Sequence, residues 1–255
     1  MRGRLWEMEA ALEELSPFSA PKTELEQYST SAHLASQIVF AAATHFGDIA
    51  EKTVLDLGCG PGMLSLACLY AGADRVLGVD IDEEALDIAR VNAAGEEDRV
   101  DFVRCDVING RLPFDRRVAD TCVMNPPFGT RLKGSDVAFL KAASQLVETA
   151  VYSLHKSSTR DYLLKRAKDM GFPGGAQVVA ELSFDLPKSY KFHTQQSTDI
   201  RVDLMRFDLH AGGVARPPPL TSHSEEEDRR SGRGHSHRNK NNAQNKKDRQ
   251  KQRRR

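Results

Sequence analysis

The chain has 255 residues, of which 40% are hydrophobic, so it is long enough to bury one large α/β core. Its formal net charge is zero at pH 7, but the charge is unevenly distributed. Residues 216–255 hold 13 Lys and Arg against 5 Asp and Glu, a net charge of +8, so residues 1–215 carry a net charge of −8. The cysteines lack C-x-x-C spacing, the histidines include no H-E-x-x-H, and no apolar run could span a bilayer, so we expect no disulfide framework, no metal site and no membrane partner.

Two helices are predicted before the first strand. Met8 to Leu15 has helical spacing, and charges interrupt the apolar residues at the start of the chain, which argues against a signal peptide. The amphipathic stretch from Ala32 to Phe46 predicts a second helix, with the preceding hydroxyl residues as its N-cap and Gly47 as its end. Capping does not require Gln27, so residues 1–31 are interpreted as an N-terminal helix followed by a segment that gates a cofactor.

A glycine-rich turn, Gly58–Gly62, follows the predicted buried strand Thr53–Leu57 and opens an apolar helix. Its three glycines let a ligand approach the backbone itself. The next strand ends in Asp80, where a carboxylate can hold ribose hydroxyls. The pattern therefore predicts a nucleoside cofactor. Because Met63 stands where the dinucleotide fingerprint has its third glycine, S-adenosyl-L-methionine fits better than NAD.

Polar residues recur at or near the ends of four successive predicted strands, as Asp56, Asp80, Asp106 and Asn125. The carboxyl ends of the strands in an α/β sheet border the ligand crevice, so we expect these side chains to share one rim. Asp106 can accept a hydrogen bond from an adenine amino group there, while the N–H of Val107 meets a ring nitrogen. Each Asp could alternatively cap a helix or lie in a solvated loop.

The motif Asn125-Pro126-Pro127-Phe128 follows the apolar run Ala119–Met124. An exocyclic amine on a nucleobase or on a glutamine amide is a poor nucleophile, because its lone pair is delocalised into the adjoining π-system. The Asn125 side-chain oxygen and the Pro126 carbonyl can each accept one hydrogen bond from that amine and draw the lone pair out of conjugation, while Phe128 stacks on the planar group. The motif thus predicts methylation of a planar amine; the alternative is a plain turn with Phe128 as a buried plug.

Downstream of the motif, the pattern predicts a helix from Asp136 to Ala150, a fifth strand at Val151–Leu154 and a helix from Arg160 to Met170. Lys156 and the hydroxyl residues beside it, in the turn before the last helix, could meet phosphate. We favour the interpretation that this turn caps the helix.

Two alternating segments, Gln177–Asp185 and Thr198–Leu209, predict paired antiparallel strands. The segment between them interleaves Lys with aromatic residues, which suits stacking on an unpaired base beside phosphates, or simple packing of a hairpin loop. The RNA-binding candidates are Lys156, Lys188, Tyr190, Lys191 and Phe192.

The alternation of strands and helices predicts one domain, residues 1–210, built on a single wound sheet. Residues 211–255 have no large apolar residue after Leu220 and predict a disordered basic tail. Its end, residues 246–255, is typical of a nucleic-acid or nuclear-import patch, the alternative being a solubilising extension. We therefore expect the protein in the nucleus and the cytoplasm.

Over about residues 5 to 209, the sequence resembles the eukaryotic methyltransferase-like 5 family. The blocks that carry the resemblance are Leu25-Glu26-Gln27-Tyr28-x-Thr30, Asp56-Leu57-Gly58-Cys59-Gly60, Asp80-Ile81-Asp82-Glu83, Cys105-Asp106-Val107, Met124-Asn125-Pro126-Pro127-Phe128-Gly129-Thr130, the stretch from Ala150 to Arg160, and Asp185-Leu186-Pro187-x-Ser189-Tyr190-Lys191-Phe192-His193. The resemblance implies a class I, Rossmann-like methyltransferase with a mostly parallel seven-stranded sheet and one antiparallel strand. It also implies N6-methylation of adenosine in small-subunit (18S) ribosomal RNA, and a heterodimer with a small zinc-containing activator subunit.

Carried over by position, the family's cofactor contacts fall on Gln27, Thr30, Gly58, Pro61, Met63, Asp80, Asp106 and Val107, and its catalytic motif on Asn125, Pro126, Pro127 and Phe128. The glycine turn and the strand-end pattern add Gly60 and Asp56. Pro61 departs from the family's cysteine, which costs little because the contact there is through the backbone. Similar motifs serve enzymes that methylate a glutamine amide or cytosine N4, and an RNA-binding protein with a relict cofactor site is a further alternative.

Overall fold

A computed structural model describes residues 2–109, 112–114, 117–184 and 200–212. The strands are β1 Thr53–Leu57, β2 Arg75–Asp80, β3 Val100–Arg104, β4 Ala119–Met124, β5 Val147–Lys156, β6 Gly175–Phe184 and β7 Ile200–Asp208. They form one seven-stranded sheet in the order β3-β2-β1-β4-β5-β7-β6. The first five strands are parallel to one another, whereas β7 is antiparallel to both of its neighbours, β5 and β6. The predicted fold class is confirmed.

The α-helices are α1 Arg2–Glu13, α2 Ala32–Ala41, α3 Met63–Tyr70, α4 Glu83–Asn92, α5 Ser135–Leu146 and α6 Arg160–Arg166. As predicted, α2 is capped at its start, where the Ser31 hydroxyl accepts from Leu34 N–H at 3.2 Å. It continues as a π-helical turn and ends at Gly47, whose φ is +69°. In the part of the chain that the structure describes, no helix is both long and apolar enough to cross a membrane.

The side-chain alternation of the strands divides the core between the two faces of the sheet. Val54 of β1 packs into an apolar cluster with α1, α2 and α3, whereas its neighbour Leu55 packs into a second cluster with α5 and α6. Both side chains are fully buried, and burial of this kind stabilises the fold by about 1.5–3 kcal/mol for each. The helices on the two faces of the sheet leave the carboxyl ends of the parallel strands uncovered.

The boundary between α5 and β5 differs from the prediction. The helix expected from Asp136 to Ala150 ends at Leu146, and the strand expected at Val151–Leu154 extends from Val147 to Lys156. No glycine or proline marks this boundary. It is set by long-range pairing, because Val147 lies opposite Ala119 of β4 and Ala150 lies opposite Asp208 of β7. Such pairing outweighs the local helical preference.

The remaining expectations downstream are mostly confirmed. The helix predicted from Arg160 to Met170 ends as an α-helix at Arg166 and is followed by a short 3-10 turn. The predicted antiparallel pairing of the last two strands is confirmed in β6 and β7. The tail predicted at residues 211–255 lies outside the described residues from position 213 onward, so its boundary stays a prediction.

A buried polar cluster joins the segment before β1 to the carboxyl-terminal strands. Arg206, whose side chain is 1% exposed, donates from Nε to Asp48 Oδ2 at 3.0 Å and from Nη1 to Asp208 Oδ2 at 2.7 Å. The Tyr152 hydroxyl donates to the same oxygen of Asp48 at 2.7 Å, and the guanidinium lies 4.8 Å from the centre of the Phe46 ring. Burial and the charge of Asp48 raise the pKa of Tyr152, so this hydroxyl remains a donor.

Candidate functional site

The turn between β1 and α3 brings the backbone to the edge of a cleft at the carboxyl ends of the strands. The N–H groups of Gly58 and Cys59 both donate to the Val79 carbonyl of β2, at 2.7 and 3.1 Å, which fixes the turn on the sheet. Gly60 has a φ of +51°, and a Cβ atom there would lie 2.7 Å from the Phe18 ring. This position therefore requires glycine, both for its left-handed backbone and for the close approach of Phe18.

Asp80, at the end of β2, is held by two backbone donors. Its Oδ2 accepts from Gly60 N–H at 2.8 Å and its Oδ1 from Asp82 N–H at 2.9 Å. Burial raises the pKa of Asp80, and these hydrogen bonds oppose that rise. Each carboxylate oxygen keeps further acceptor capacity, so a carboxylate fixed in this way can still accept from ribose hydroxyls.

The two other carboxylates of the predicted rim differ in environment. Asp106 Oδ1 accepts from the N–H groups of Ile108 and Asn109, both at 2.9 Å, and although burial acts to raise the pKa of Asp106, these bonds lower it. Asp56 is fully buried inside β1, where burial raises its pKa to about 7, and its Oδ2 accepts from Ser65 Oγ at 2.6 Å. Asp106 therefore stays ionised at neutral pH. Asp56 is a core residue that lies at the wall of the site.

Asn125 follows β4, and its side chain is held by a residue that lies far away in the sequence. Its Nδ2 donates to Thr30 Oγ1 at 3.0 Å, and Thr30 itself is only 9% exposed. In this orientation the amide nitrogen is engaged by Thr30, which leaves Asn125 Oδ1 able to accept from a substrate amine. The acceptor role of Asn125 towards an amine stays a prediction, and this orientation is compatible with it.

Two adjacent cavities meet at Asn125. Besides Asn125, the larger one is lined by the predicted site residues Gln27, Gly58, Asp80, Asp106, Val107 and Pro127. The smaller one is lined by Thr30, Asp56, Gly58, Gly60, Pro61 and Met63. All ten predicted cofactor residues thus line one or both cavities, and Asn125 of the acceptor motif stands where the two cavities join.

Residues 16–30, here called the strap, run along both cavities and are fastened on two sides. On one side, Asp82 accepts from Lys22 Nζ at 2.6 Å and from Gln27 Nε2 at 2.7 Å. On the other side, Glu26 Oε1 accepts from Arg131 N–H, in the loop after the acceptor motif, at 2.8 Å. The strap corresponds to the predicted gating segment, and its fastening connects the cofactor side of the cleft to the acceptor side.

Part of the acceptor motif lies deeper than expected. Phe128 is 9% exposed, belongs to the apolar core on the α1–α3 side of the sheet, and lines neither cavity. Pro126 is also buried. Stacking of Phe128 on a planar substrate therefore stays a prediction, and it requires the ring to become accessible when the substrate binds.

The interpretation of the turn at Lys156 as a helix cap is wrong. Thr159 precedes α6 but its hydroxyl donates back to the Lys156 carbonyl at 2.8 Å, and Ser157 Oγ donates to Asp203 at 2.7 Å. Arg160 also binds the buried Asp203, through two hydrogen bonds of 2.6 Å, so this carboxylate fixes the turn. Lys156 lines neither cavity. The other RNA-binding candidates, Lys188, Tyr190, Lys191 and Phe192, lie outside the described residues.

Several residues of the site were not predicted from the sequence. Phe18 lines both cavities, and Ser135 and Phe139 of α5 line the larger one. A single aromatic residue between two prolines was the available signal for Phe18. Phe139 belongs to an apolar helical stripe that is typical of any core helix, so no pattern distinguished it.

The donor set fits S-adenosylmethionine. The glycine turn lines both cavities, Asp80 presents a half-buried carboxylate suited to ribose hydroxyls, and the ionised Asp106 can accept from an exocyclic amine. Among the residues that the structure describes, no group of three or more His, Cys, Asp or Glu could hold a metal ion.

Comparisons with known proteins agree with this chemistry. Residues 33–159 match the family model described as "Methyltransferase small domain". A Danio rerio protein named rRNA N(6)-adenosine-methyltransferase METTL5 is 45% identical over 206 residues, which covers 80% of this chain and 98% of that protein. The Drosophila melanogaster protein of the same name is 43% identical over 210 residues, covering 82% and 98%. A crystal structure from Pyrococcus horikoshii, provisionally described as an RNA methyltransferase, has a TM-score of 0.68 at 33% identity and covers 80% of this chain and 96% of its own.

Proposed function

Because this chain belongs to the METTL5 family of rRNA N6-adenosine-methyltransferases, we propose that it methylates the N6 amine of a specific adenosine in small-subunit (18S) ribosomal RNA. The observation that carries this proposal is the Asn125 amide, which Thr30 holds at the junction of the two cavities. The cofactor is S-adenosylmethionine, which supplies, when bound, a sulfonium methyl group that an amine can attack by direct displacement.

The residues of the acceptor motif position the amine. Asn125 Oδ1 and the Pro126 carbonyl each accept one hydrogen bond from the N6 amine of an adenine extruded from its stack, which localises the lone pair on nitrogen. Most of the rate acceleration then comes from holding that nitrogen in line with the methyl group. No side chain has to remove a proton during the displacement, because the methylated amine can release its proton to solvent afterwards.

Nucleoside analysis tests this proposal. Small ribosomal subunits from cells that lack the protein are incubated with purified enzyme and labelled S-adenosylmethionine, and the labelled nucleoside or amino acid is identified by mass spectrometry. We expect N6-methyladenosine, and we expect it to form at least about 100-fold more slowly with Asn125→Ala, the matched control. Label in cytidine or in a glutamine side chain of a ribosomal protein would instead assign the enzyme to one of the other classes that share the motif, and cofactor binding without any transfer would favour a non-catalytic RNA-binding protein.

We further propose that the zinc-containing activator subunit implied by the family resemblance binds along β3, at one edge of the sheet. Just before and just after this strand, the Arg99 carbonyl accepts from Val76 N–H of β2, and the Cys105 N–H donates to the Asp80 carbonyl of β2. Successive residues of a strand alternate, so the N–H of Arg104 points away from β2. An open edge of this kind can pair with a strand from another chain.

Co-expression tests the partner proposal. We expect the chain to be poorly soluble or weakly active alone, and soluble and active with the activator subunit. Arg104→Pro removes the outward N–H and should abolish co-purification, whereas Arg104→Ala keeps that N–H and should not. Retained cofactor binding by the proline variant would show that its domain is folded. A stable and fully active monomer would contradict the proposal.

The basic tail is proposed to anchor ribosomal RNA, because the body of the chain, residues 1–215, carries 23 Lys and Arg against 31 Asp and Glu. Contacts with phosphate release counterions, so log affinity falls as log salt concentration rises. Each phosphate contact that is lost makes this negative slope shallower by about 0.7 on single-stranded RNA. Deleting residues 211–255 should therefore weaken RNA binding and flatten this slope, while turnover at saturating RNA stays nearly unchanged.

A salt titration of binding to an 18S ribosomal RNA fragment measures both effects. The matched control is a chain of full length in which Gln replaces every Lys and Arg of residues 246–255, and it should behave like the deletion. Equal slopes for all three proteins would assign the tail to nuclear import or to solubility instead.

A further inference from the structure

Thr30 occupies a position from which it can connect the cofactor to the acceptor amide. Its Oγ1 accepts from Asn125 Nδ2 at 3.0 Å, and Thr30 lines the smaller cavity together with the glycine turn. The two residues are 95 positions apart in sequence. Strap and acceptor motif therefore meet through one side-chain hydrogen bond at the centre of the site.

The orientation of the Asn125 amide decides whether the amine can bind. An amide has an acceptor oxygen on one side and a donor NH2 group on the other, and rotation about the last side-chain bond exchanges the two. Only the orientation with Oδ1 towards the substrate accepts a hydrogen bond from the N6 amine. In the opposite orientation the Asn125 NH2 group would face the NH2 group of the substrate, and two donors cannot form a hydrogen bond.

A hydroxyl group alone does not select between these orientations. Thr30 can accept from the Asn125 NH2 group, or it can rotate its hydrogen and donate to the Asn125 oxygen instead. This freedom disappears when the Thr30 hydrogen is donated to another acceptor, because the hydroxyl oxygen can then only accept from Asn125. The methionine end of the cofactor, expected beside the glycine turn, carries such an acceptor in its carboxylate.

We propose that Thr30 is a positioning residue that orients the Asn125 amide only when the cofactor is bound, so that binding of the cofactor completes the site for the amine. This inference rests on the proposed function. Thr30 is nearly buried, and the strap that carries it is fastened both at Asp82 and at Arg131, so its hydroxyl is held in place between the two sites. The acceptor site thereby becomes selective for an amine after the methyl donor has arrived.

The test measures RNA binding in the absence of methyl transfer. S-adenosylhomocysteine keeps the carboxylate but has no methyl group to give, and the RNA is a fragment that the wild-type enzyme methylates, with either adenosine or purine riboside at the methylated position. Purine riboside lacks only the N6 amine. We expect S-adenosylhomocysteine to tighten binding of the adenosine RNA by about fivefold or more, and that of the purine RNA much less.

Substitution of Thr30 separates positioning from a general structural role. Thr30→Val keeps the shape of the side chain and should abolish the amine-dependent part of the tightening, whereas Thr30→Ser keeps the hydroxyl and should preserve it. A merely structural role of the strap would weaken binding of both RNAs alike. Amine-dependent tightening that survives in Thr30→Val, or equal tightening of both RNAs by the wild-type enzyme, would overturn the inference.

A second measurement needs neither RNA nor turnover. In 15N-labelled enzyme, the side-chain NH2 signals of Asn125, identified by their absence in Asn125→Ala, should become protected from hydrogen exchange on addition of S-adenosylhomocysteine. This protection should be lost in Thr30→Val and kept in Thr30→Ser. Unchanged exchange in the wild-type enzyme would contradict the role of Thr30 alone, whereas a wild-type enzyme that methylates no adenosine would contradict the proposed function.

Discussion

Asn125→Ala is expected to lower kcat on RNA by a factor on the order of 10²–10³, comparable to the loss of one fixed hydrogen-bonding group at a reacting centre. Affinity for S-adenosylmethionine should change little, because the amide oxygen is directed at the acceptor amine. Single-turnover methylation together with calorimetric titration of the cofactor measures the two quantities separately. A variant that retained most of its turnover would show that Asn125 does not hold the amine.

Asp80→Ala is the matched control, because it should alter the same two quantities in the opposite way. Removing the carboxylate deprives the cofactor ribose of its acceptor and leaves Gly60 N–H without its partner. We expect cofactor binding to weaken by about 1–3 kcal/mol, the usual range for a hydrogen bond to a charged group. Turnover at saturating cofactor should fall much less than it does in Asn125→Ala.

The second large effect is expected on stability, at the buried cluster around Arg206. Asp48→Ala removes the carboxylate that accepts from both Arg206 and Tyr152, and leaves Asp208 as the one counter-charge of the guanidinium among the described residues. Breaking a buried ion pair from one side generally costs about 3–5 kcal/mol, and because Asp208 remains, we expect the free energy of unfolding to fall by about 3 kcal/mol. Urea denaturation followed by circular dichroism measures this change.

Glu83→Ala provides the comparison for a solvent-exposed ion pair. Glu83 accepts from Arg90 at 2.9 Å on the surface of α4, and both side chains are more than 40% exposed. Exposed pairs contribute about 0–1 kcal/mol, so this variant should unfold almost like the wild-type protein. If both variants lost the same small amount of stability, the buried polar cluster around Arg206 would not contribute substantially to the stability of the fold.

The carboxyl-edge residues could be predicted because local patterns specify them. A glycine turn needs only neighbouring residues to form, and the strand before Asn125 is a continuous apolar run, so the placement of Asp80, Asp106 and Asn125 followed from the order of the elements. The end of α5 could not be predicted in the same way. The residues from Val147 to Ala150 suit a helix or a strand, and only their partners in β4 and β7 decide between them.

The contacts of the strap could not be predicted from the sequence, for a related reason. Lys22, Glu26 and Thr30 stand in a polar stretch without strong periodicity, and their partners Asp82, Arg131 and Asn125 lie 60 to 105 positions away. Side-chain hydrogen bonds over such separations leave no local pattern. The depth of Phe128 is a similar case, because an aromatic residue after a turn is equally compatible with a core position and with an exposed face.

The place of β7 in the sheet has a consequence for how the protein is made. Among the strands that the structure describes, β7 is the last along the chain, yet it lies between β5 and β6 and is the only one that pairs with β6. On the ribosome, β5 therefore remains the open edge of a five-stranded parallel sheet, and β6 has no partner, until residue 208 has emerged. Unpaired strand edges are prone to associate with other chains. The interval of translation between Phe184 and Asp208 is thus a period in which the nascent chain exposes two unpaired edges and depends most on protection by chaperones.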